Sequence, residues 1–96
     1  MRTPEGHVAD ALRREAKKRG FFIRKCRWEG RIGAPDYVLL HEGRAAFIET
    51  KAPGEAPRKS QTAEFEQIRE AGCPVYVVDS ADGAKQLIQD LWRESC

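Results

Sequence analysis

The chain has few cysteines and no long hydrophobic segment, and both absences narrow its function. Its three cysteines, Cys26, Cys73 and Cys96, are scattered and form no Cys-x-x-Cys pair. This pattern indicates neither a zinc site nor a disulfide framework, so we expect a reducing compartment. No apolar run approaches the roughly 18 residues of a membrane span, and the polar N-terminus does not resemble a signal peptide. The sequence therefore predicts a cytoplasmic protein with no membrane partner.

The composition is that of one small folded domain. Charged residues make up 33% of the chain and hydrophobic residues 41%, which argues against a disordered protein. A chain of 96 residues has room for one modest hydrophobic core. We therefore expect a single domain over residues 1–96, and the sequence contains no repeats that would suggest otherwise.

Positive charge is concentrated in the first third of the chain. Residues 1–31 contain ten Lys or Arg and four Asp or Glu, a balance of +6, whereas residues 32–96 contain seven and eleven, a balance of −4. This asymmetry suits a protein that grips a polyanion, although a solvated helix face would look similar. The expected DNA contacts are Arg13, Lys17, Lys18, Arg24, Arg27, Arg31, Arg58 and Lys59.

Apolar periodicity and turn residues predict seven elements in the order α-β-β-β-α-β-α. A Thr-Pro-Glu start at residues 3–5 predicts the first helix, which ends near Gly20. The other predicted elements are a strand at 21–28, a hairpin at 35–52, a helix at 60–71 capped by Ser60, a strand at 75–78 and a final helix capped by Ser80. The order predicts an α/β fold, with helices flanking a small mixed β-sheet and a right-handed crossover through the helix at 60–71.

Two acidic residues occupy positions where the hairpin strands should be buried. A two-residue turn at 42–43 sets a register that places Asp36 directly opposite Glu49, with Cβ atoms ~5 Å apart. Lys51 lies two residues beyond Glu49 and so projects from the same face of the sheet. Each residue alone could be an ordinary surface group, but an exposed Glu49 would require Phe47, on the same face, to be exposed too. The group of three therefore predicts a functional site.

The residue types at this site predict a divalent cation. Hard oxygen ligands from Asp36 and Glu49 suit Mg²⁺, for which Mn²⁺ commonly substitutes, and the backbone carbonyl of Thr50 is placed to add a third ligand. Lys51 can orient or deprotonate an attacking water, or neutralise a phosphate. Two carboxylates and a lysine on one face are a combination suited to cutting phosphodiester bonds.

Two further residues are candidates for the same site. Glu5 shares the apolar stripe of the first helix and should point towards the sheet, although a first-turn acid also complements the helix dipole. Gln61 lies four residues before Phe65 on the inward face of its helix, where its amide must find polar partners. The alternative for Gln61 is a role in capping the helix end.

Four segments of the chain resemble the VRR-NUC domain (virus-type replication-repair nuclease) of the PD-(D/E)XK nuclease superfamily. They are residues 33–36 (Gly-Ala-Pro-Asp), 49–51 (Glu-Thr-Lys), 58–61 (Arg-Lys-Ser-Gln) and 72–78 (Gly-Cys-Pro-Val-Tyr-Val-Val). The resemblance implies a restriction-endonuclease-like core with Asp36 and Glu49 as metal ligands and Lys51 as the catalytic lysine. It also implies that Gln61 and Glu5 belong to the site.

The resemblance further implies a stand-alone nuclease of the phage or viral type, acting in a bacterial host cell. Similar minimal domains form homodimers and cut branched DNA, including four-way (Holliday) junctions. The expected function is therefore a Mg²⁺-dependent structure-specific DNA endonuclease. The alternative is a non-catalytic nucleic-acid-binding module in which the acids hold a cation only for stability.

Overall fold

The computed structural model describes residues 2–94, which form seven elements in the predicted order. They are α1 (Pro4–Lys18), β1 (Phe22–Lys25), β2 (Tyr37–His41), β3 (Arg44–Thr50), α2 (Lys59–Glu70), β4 (Val75–Val78) and α3 (Ala81–Glu94). The predicted fold class, a mixed α/β sheet flanked by helices, is confirmed. No helix within residues 2–94 is long and apolar enough to cross a membrane.

The sheet has the strand order β1-β2-β3-β4 and is mixed in direction. β1, β2 and β3 are antiparallel neighbours, whereas β4 pairs parallel to β3 after the crossover through α2. The hairpin turn uses Glu42 and Gly43, whose φ angles of 50° and 79° suit the tight turn that matches strand twist. This turn sets the predicted register, and the pairing continues as far as Tyr37 opposite Ile48.

The hydrophobic core lies between the sheet and the pair α1 and α3. Val8 and Leu12 of α1, Ile48 of β3 and Ile88 of α3 are at most 2% exposed and belong to one buried cluster. Side chains alternate along a strand, so Glu49 and Lys51 project from the sheet face opposite Ile48. α2 covers that second face, which therefore becomes the floor of the site.

Helix ends follow the sequence except at the start of α2. Thr3 caps α1 by accepting a hydrogen bond from the Gly6 N–H, and Ser80 accepts one from the Gly83 N–H. The prediction that Ser60 caps α2 is wrong, because the cap is Arg58 and the helix begins at Lys59. The helix begins before the predicted residue because the Gln61 side chain accepts a hydrogen bond from the Arg58 backbone N–H, which fixes the first turn there.

The first strand is shorter than predicted, and a long loop replaces its second half. β1 ends at Lys25, whereas the sequence suggested a strand as far as Trp28. The Cys26 N–H still donates to the Asp36 carbonyl at 2.7 Å, which closes the loop at its base. Trp28 turns inward and packs edge-on against Phe47, with 6.2 Å between ring centroids. The segment 26–36, called here the β1–β2 loop, therefore leads directly into the predicted site.

Candidate active site

Glu49 is a buried carboxylate at the centre of the site. It lies near the end of β3 and is only 2% exposed. Its Oε2 atom accepts hydrogen bonds from the Lys51 ammonium at 3.0 Å and the Gln61 amide at 2.8 Å. The prediction that Glu49, Lys51 and Gln61 come together is therefore met by direct contacts.

The second oxygen of Glu49 has no protein partner. Within residues 2–94, Oε1 is buried and receives no hydrogen bond. Burial raises the pKa of Glu49, and the nearby charge of Asp36 raises it further, against the opposing effects of Lys51 and Gln61. An unpaired buried carboxylate oxygen is costly unless a cation or a donor reaches it. The chemistry of this atom fits a metal ligand.

Asp36 is held against β3 by Thr50, whose side chain the sequence did not indicate as part of the site. Its Oδ2 atom accepts hydrogen bonds from the Thr50 backbone N–H at 2.9 Å and the Thr50 hydroxyl at 2.8 Å. Asp36 lies one position beyond the last pair of β2 and β3, so it extends the predicted register towards Glu49. The charge effect of Asp36 on the Glu49 pKa is consistent with two neighbouring carboxylates.

Lys51 is a buried cation fixed from two sides. It is 8% exposed, and its Nζ atom lies 3.0 Å from both Glu49 Oε2 and Gln61 Oε1. Gln61 thus donates to the carboxylate and accepts from the ammonium. The same Oε1 atom also accepts the Arg58 N–H at 3.0 Å, so Gln61 fills both roles that the sequence left open, site residue and helix cap.

The predicted orientation of Glu5 requires correction. Glu5 is exposed and is not buried against the sheet, and Thr3 and Pro4 beside it at the start of α1 are also exposed. Glu5 nevertheless lines a cavity of about 240 Å³ that also contains Asp36 and Thr50. Glu5 therefore lies at the rim of the site, on the side of Asp36.

The same cavity contains three cations, of which sequence reasoning had named one. Arg13 donates to the Tyr37 hydroxyl at 2.8 Å and to Asp10 at 2.7 Å, which fixes its guanidinium beside the cavity. Lys25 and Arg2 also line it. Nothing in the sequence distinguishes Lys25 and Arg2 from the other basic residues in the first third of the chain. The cavity is therefore lined by three basic side chains, of which Arg2 and Arg13 are paired with Asp10.

The other basic residues predicted to contact DNA lie in two settings. Arg31 is paired with Glu64, and Arg24 lies over the Phe22 ring with 4.0 Å from its guanidinium carbon to the centroid. The remaining ones, Lys17, Lys18, Arg27, Arg58 and Lys59, are exposed.

The donor set is small. Within residues 2–94 there is no group of three or more His, Cys, Asp or Glu side chains that could hold a metal. A cation at Glu49 would therefore rely on two carboxylates together with backbone oxygen and water, which is how Mg²⁺ is usually bound.

Residues 10–82 match the VRR-NUC domain family. The chain belongs to this family. It is 38% identical over 79 residues to a protein named "Putative nuclease p44" from Acyrthosiphon pisum secondary endosymbiont phage 1, an alignment that covers 81% of this chain and 85% of that protein. It also matches a solved VRR_NUC domain structure with a TM-score of 0.83 and 35% identity, covering 91% of this chain and 96% of that one.

The family match and the structural match confirm the family and the fold that the sequence predicted. Asp36, Glu49, Lys51 and Gln61 all lie inside the matched residues 10–82, whereas Glu5 lies before them. The four residues within the match are also those that contact one another or Thr50 in the structure.

Proposed function

We propose that this VRR-NUC domain is a metal-dependent DNA endonuclease that cuts branched DNA as a homodimer. The observation that carries the proposal is the buried Glu49 carboxylate, which has one oxygen bound by Lys51 and Gln61 and the other unpaired. Such an arrangement destabilises the fold unless it serves a ligand, and a divalent cation is the ligand that its chemistry fits.

The residues that would hold Mg²⁺ are Asp36 and Glu49 with the Thr50 backbone carbonyl, and Mn²⁺ would substitute. When bound, Mg²⁺ supplies Lewis-acid stabilisation of the negative charge that develops on a phosphodiester during hydrolysis. Thr50 supports this role from the protein side, because its N–H and hydroxyl orient the Asp36 carboxylate.

Lys51 is positioned to act on the substrate and its attacking water. Its ammonium is held by Glu49 and Gln61 at 3.0 Å each, so it is oriented before DNA arrives. A preoriented cation in a water-poor site stabilises developing phosphate charge more strongly than an exposed one. Gln61 fixes this geometry, because the same amide group bonds the carboxylate and the ammonium.

The nuclease proposal is tested by incubating the protein with linear, nicked, flap and four-way-junction DNA, with Mg²⁺, with Mn²⁺ and with a chelator. We expect cleavage that requires the metal and that Glu49→Gln and Asp36→Asn abolish. Glu55→Gln, an exposed acid in the loop after Lys51, is the matched control and should cut normally. Binding without cleavage under every metal condition would instead favour the non-catalytic module.

Recognition of DNA shape fits a chain this small better than recognition of sequence. A domain of 96 residues offers little surface for base-edge contacts, whereas bent or branched DNA can be selected by its geometry. Resolving a four-way junction requires two symmetric cuts, and one domain has one site. A two-fold dimer supplies the second site in the required orientation.

The exposure of the candidate residues favours one of two surfaces for the proposed dimer interface. Two candidate surfaces follow from the sequence: the apolar side of α3 (Leu87, Leu91 and Trp92) and Phe21 with Phe22. Phe21 is 6% exposed, and the three α3 residues pack against the core. Phe22 and Leu40 are cross-strand neighbours that are 44% and 41% exposed, so we propose this pair as part of the interface.

Sedimentation of the wild type and of Phe22→Ser with Leu40→Ser tests the dimer. We expect a dimer at micromolar concentration that the double variant weakens, with a matching loss of paired junction cuts. A monomeric wild type that still resolves junctions would refute the dimer while leaving the nuclease site intact.

A further inference from the structure

Ile32 is the most exposed large hydrophobic side chain among residues 2–94. It is 76% exposed, whereas the next in order, Phe22, is 44% exposed and has Leu40 beside it. A single exposed apolar residue is common on protein surfaces and by itself indicates nothing. The position of Ile32 on the β1–β2 loop is what gives it significance.

The loop is held on both sides of Ile32. On one side, the Arg31 guanidinium donates to both carboxylate oxygens of Glu64 on α2, at distances from 2.8 to 3.3 Å. On the other side, Gly33 has a φ of 95° and approaches α2 so closely that a Cβ there would lie 2.5 Å from the Ser60 carbonyl oxygen. Ile32 is therefore presented to solvent by an anchored segment.

The anchored segment lies next to the catalytic residues. Ile32 is four residues before Asp36, so their Cα atoms are at most about 14 Å apart even if the chain is fully extended. Gly33 contacts Ser60, and the following residue, Gln61, bonds Glu49. DNA whose phosphate reaches Glu49 therefore passes within a few base pairs of Ile32.

Basic residues are exposed on the same loop as this apolar side chain and at the neighbouring start of α2. They are Arg27, Arg31, Arg58 and Lys59. Ile32 also lines an open concavity of about 580 Å³ together with Gly30 and Arg31. An apolar tip on a loop that also carries exposed cations suits a partner with an anionic backbone and an apolar base stack, as DNA has.

We propose that Ile32 is a wedge that inserts between two stacked bases of the DNA held in the active site. This proposal rests on the proposed nuclease function and adds the element that selects the substrate. Insertion removes the isoleucine from water and opens one base step, which kinks the duplex. DNA that is already unstacked near the cut, as at a branch, needs less opening. The wedge thereby converts a general phosphodiesterase site into one that prefers branched DNA.

Insertion is tested without cleavage by using the Glu49→Gln background, with 2-aminopurine placed in turn at each base step around the binding position. The fluorescence of 2-aminopurine rises when the base loses its stacking neighbours. At saturating protein, we expect a rise at one or two adjacent steps. Ile32→Gln, which replaces the apolar end of the side chain with an amide, should abolish the rise, and Ile32→Leu should retain it. No rise at any step, or an equal rise with Ile32→Gln, would overturn the wedge.

Cleavage by the otherwise wild-type protein gives a second, independent test. Because unstacking one base step costs a few kcal/mol, we expect Ile32→Gln to slow the cutting of fully paired DNA arms by at least about tenfold. A mismatch or unpaired base at the step that the fluorescence identifies should restore the rate. A loss of rate that the mismatch does not restore would contradict the wedge.

The two experiments separate the wedge from the nuclease proposal. If the wild type cuts no DNA but the fluorescence change depends on Ile32, then the nuclease proposal fails and the wedge stands. If cutting requires Glu49 but is unaffected by Ile32→Gln on every substrate, then the nuclease stands and the wedge is refuted.

Discussion

Replacing Gly33 with alanine should destabilise the protein much more than the same change at Gly30. Both glycines have a positive φ, 95° at Gly33 and 76° at Gly30. A Cβ at Gly30 meets nothing within 4 Å, whereas a Cβ at Gly33 would lie 2.5 Å from the Ser60 carbonyl oxygen and 3.2 Å from the Glu64 Cβ. The pair therefore separates backbone strain from a steric clash.

The two contributions have different magnitudes. A left-handed backbone strains an alanine by about 1–2 kcal/mol, which applies to Gly30→Ala and at least equally to Gly33→Ala. The clash at Gly33 is with the backbone of α2, which has no flexible atom to move aside, and overpacking of this kind costs about 1–3 kcal/mol more. For a protein of this size that excess is a large part of the total stability, which is about 5–14 kcal/mol.

Urea unfolding followed by circular dichroism measures the difference. With a slope near 1 kcal/mol per molar urea, the midpoint of Gly33→Ala should lie about 1–3 M below that of Gly30→Ala. Equal midpoints for the two variants would show that the β1–β2 loop does not press on α2. They would then also remove the anchoring on which the position of Ile32 depends.

Three further outcomes are expected. In metal-free buffer at neutral pH, Glu49→Gln should unfold at equal or higher denaturant than the wild type. The folded pKa of Glu49 lies above its ordinary 4.5, so ionisation of Glu49 destabilises the wild type as pH rises through that pKa. The difference in unfolding free energy between the wild type and Glu49→Gln should therefore vanish below pH 4.5. A variant that is clearly less stable at neutral pH would contradict this. Gln61→Ala should lower the cleavage rate while sparing DNA affinity, with the exposed Gln67→Ala as its control; unchanged cleavage would exclude a role in orienting the lysine. Reversing the charge at Lys17 and Lys18 should weaken binding to all DNAs alike and reduce the salt dependence, which has a log–log slope of roughly −0.9 per phosphate contact; unchanged affinity would make α1 a merely solvated face.

The sequence specified the hairpin and the residues close to it in the chain. A two-residue turn at 42–43 and strict alternation fix the register, because a slip of one residue would move every side chain to the other face. The sheet face of Glu49 follows from that register, whereas Asp36 lies one residue beyond the last pair and is held by Thr50. Local pattern was sufficient for the register because both strands belong to one hairpin, in which the turn determines which residues pair.

Features that depend on distant contacts were not predictable in the same way. The strand predicted at 21–28 ends early because the chain turns away to place Arg31 against Glu64, 33 residues further on. The cap of α2 depends on the Gln61 side chain, which is also held by the site. The exposure of Glu5 depends on how far the contact between α1 and the rest of the fold extends. Helical periodicity gives the direction of a side chain but not the length of the surface it faces.

The double use of Gln61 makes assembly of the site conditional on folding. One side-chain oxygen of Gln61 accepts hydrogen bonds from both the Arg58 N–H at the start of α2 and the Lys51 ammonium, so docking of the helix start also orients the lysine. A nascent or partly unfolded chain, in which α2 has not docked, presents the two acids without an oriented lysine. For the nuclease proposed above, this arrangement would be a safeguard, because only a completed fold would carry the complete set of site residues.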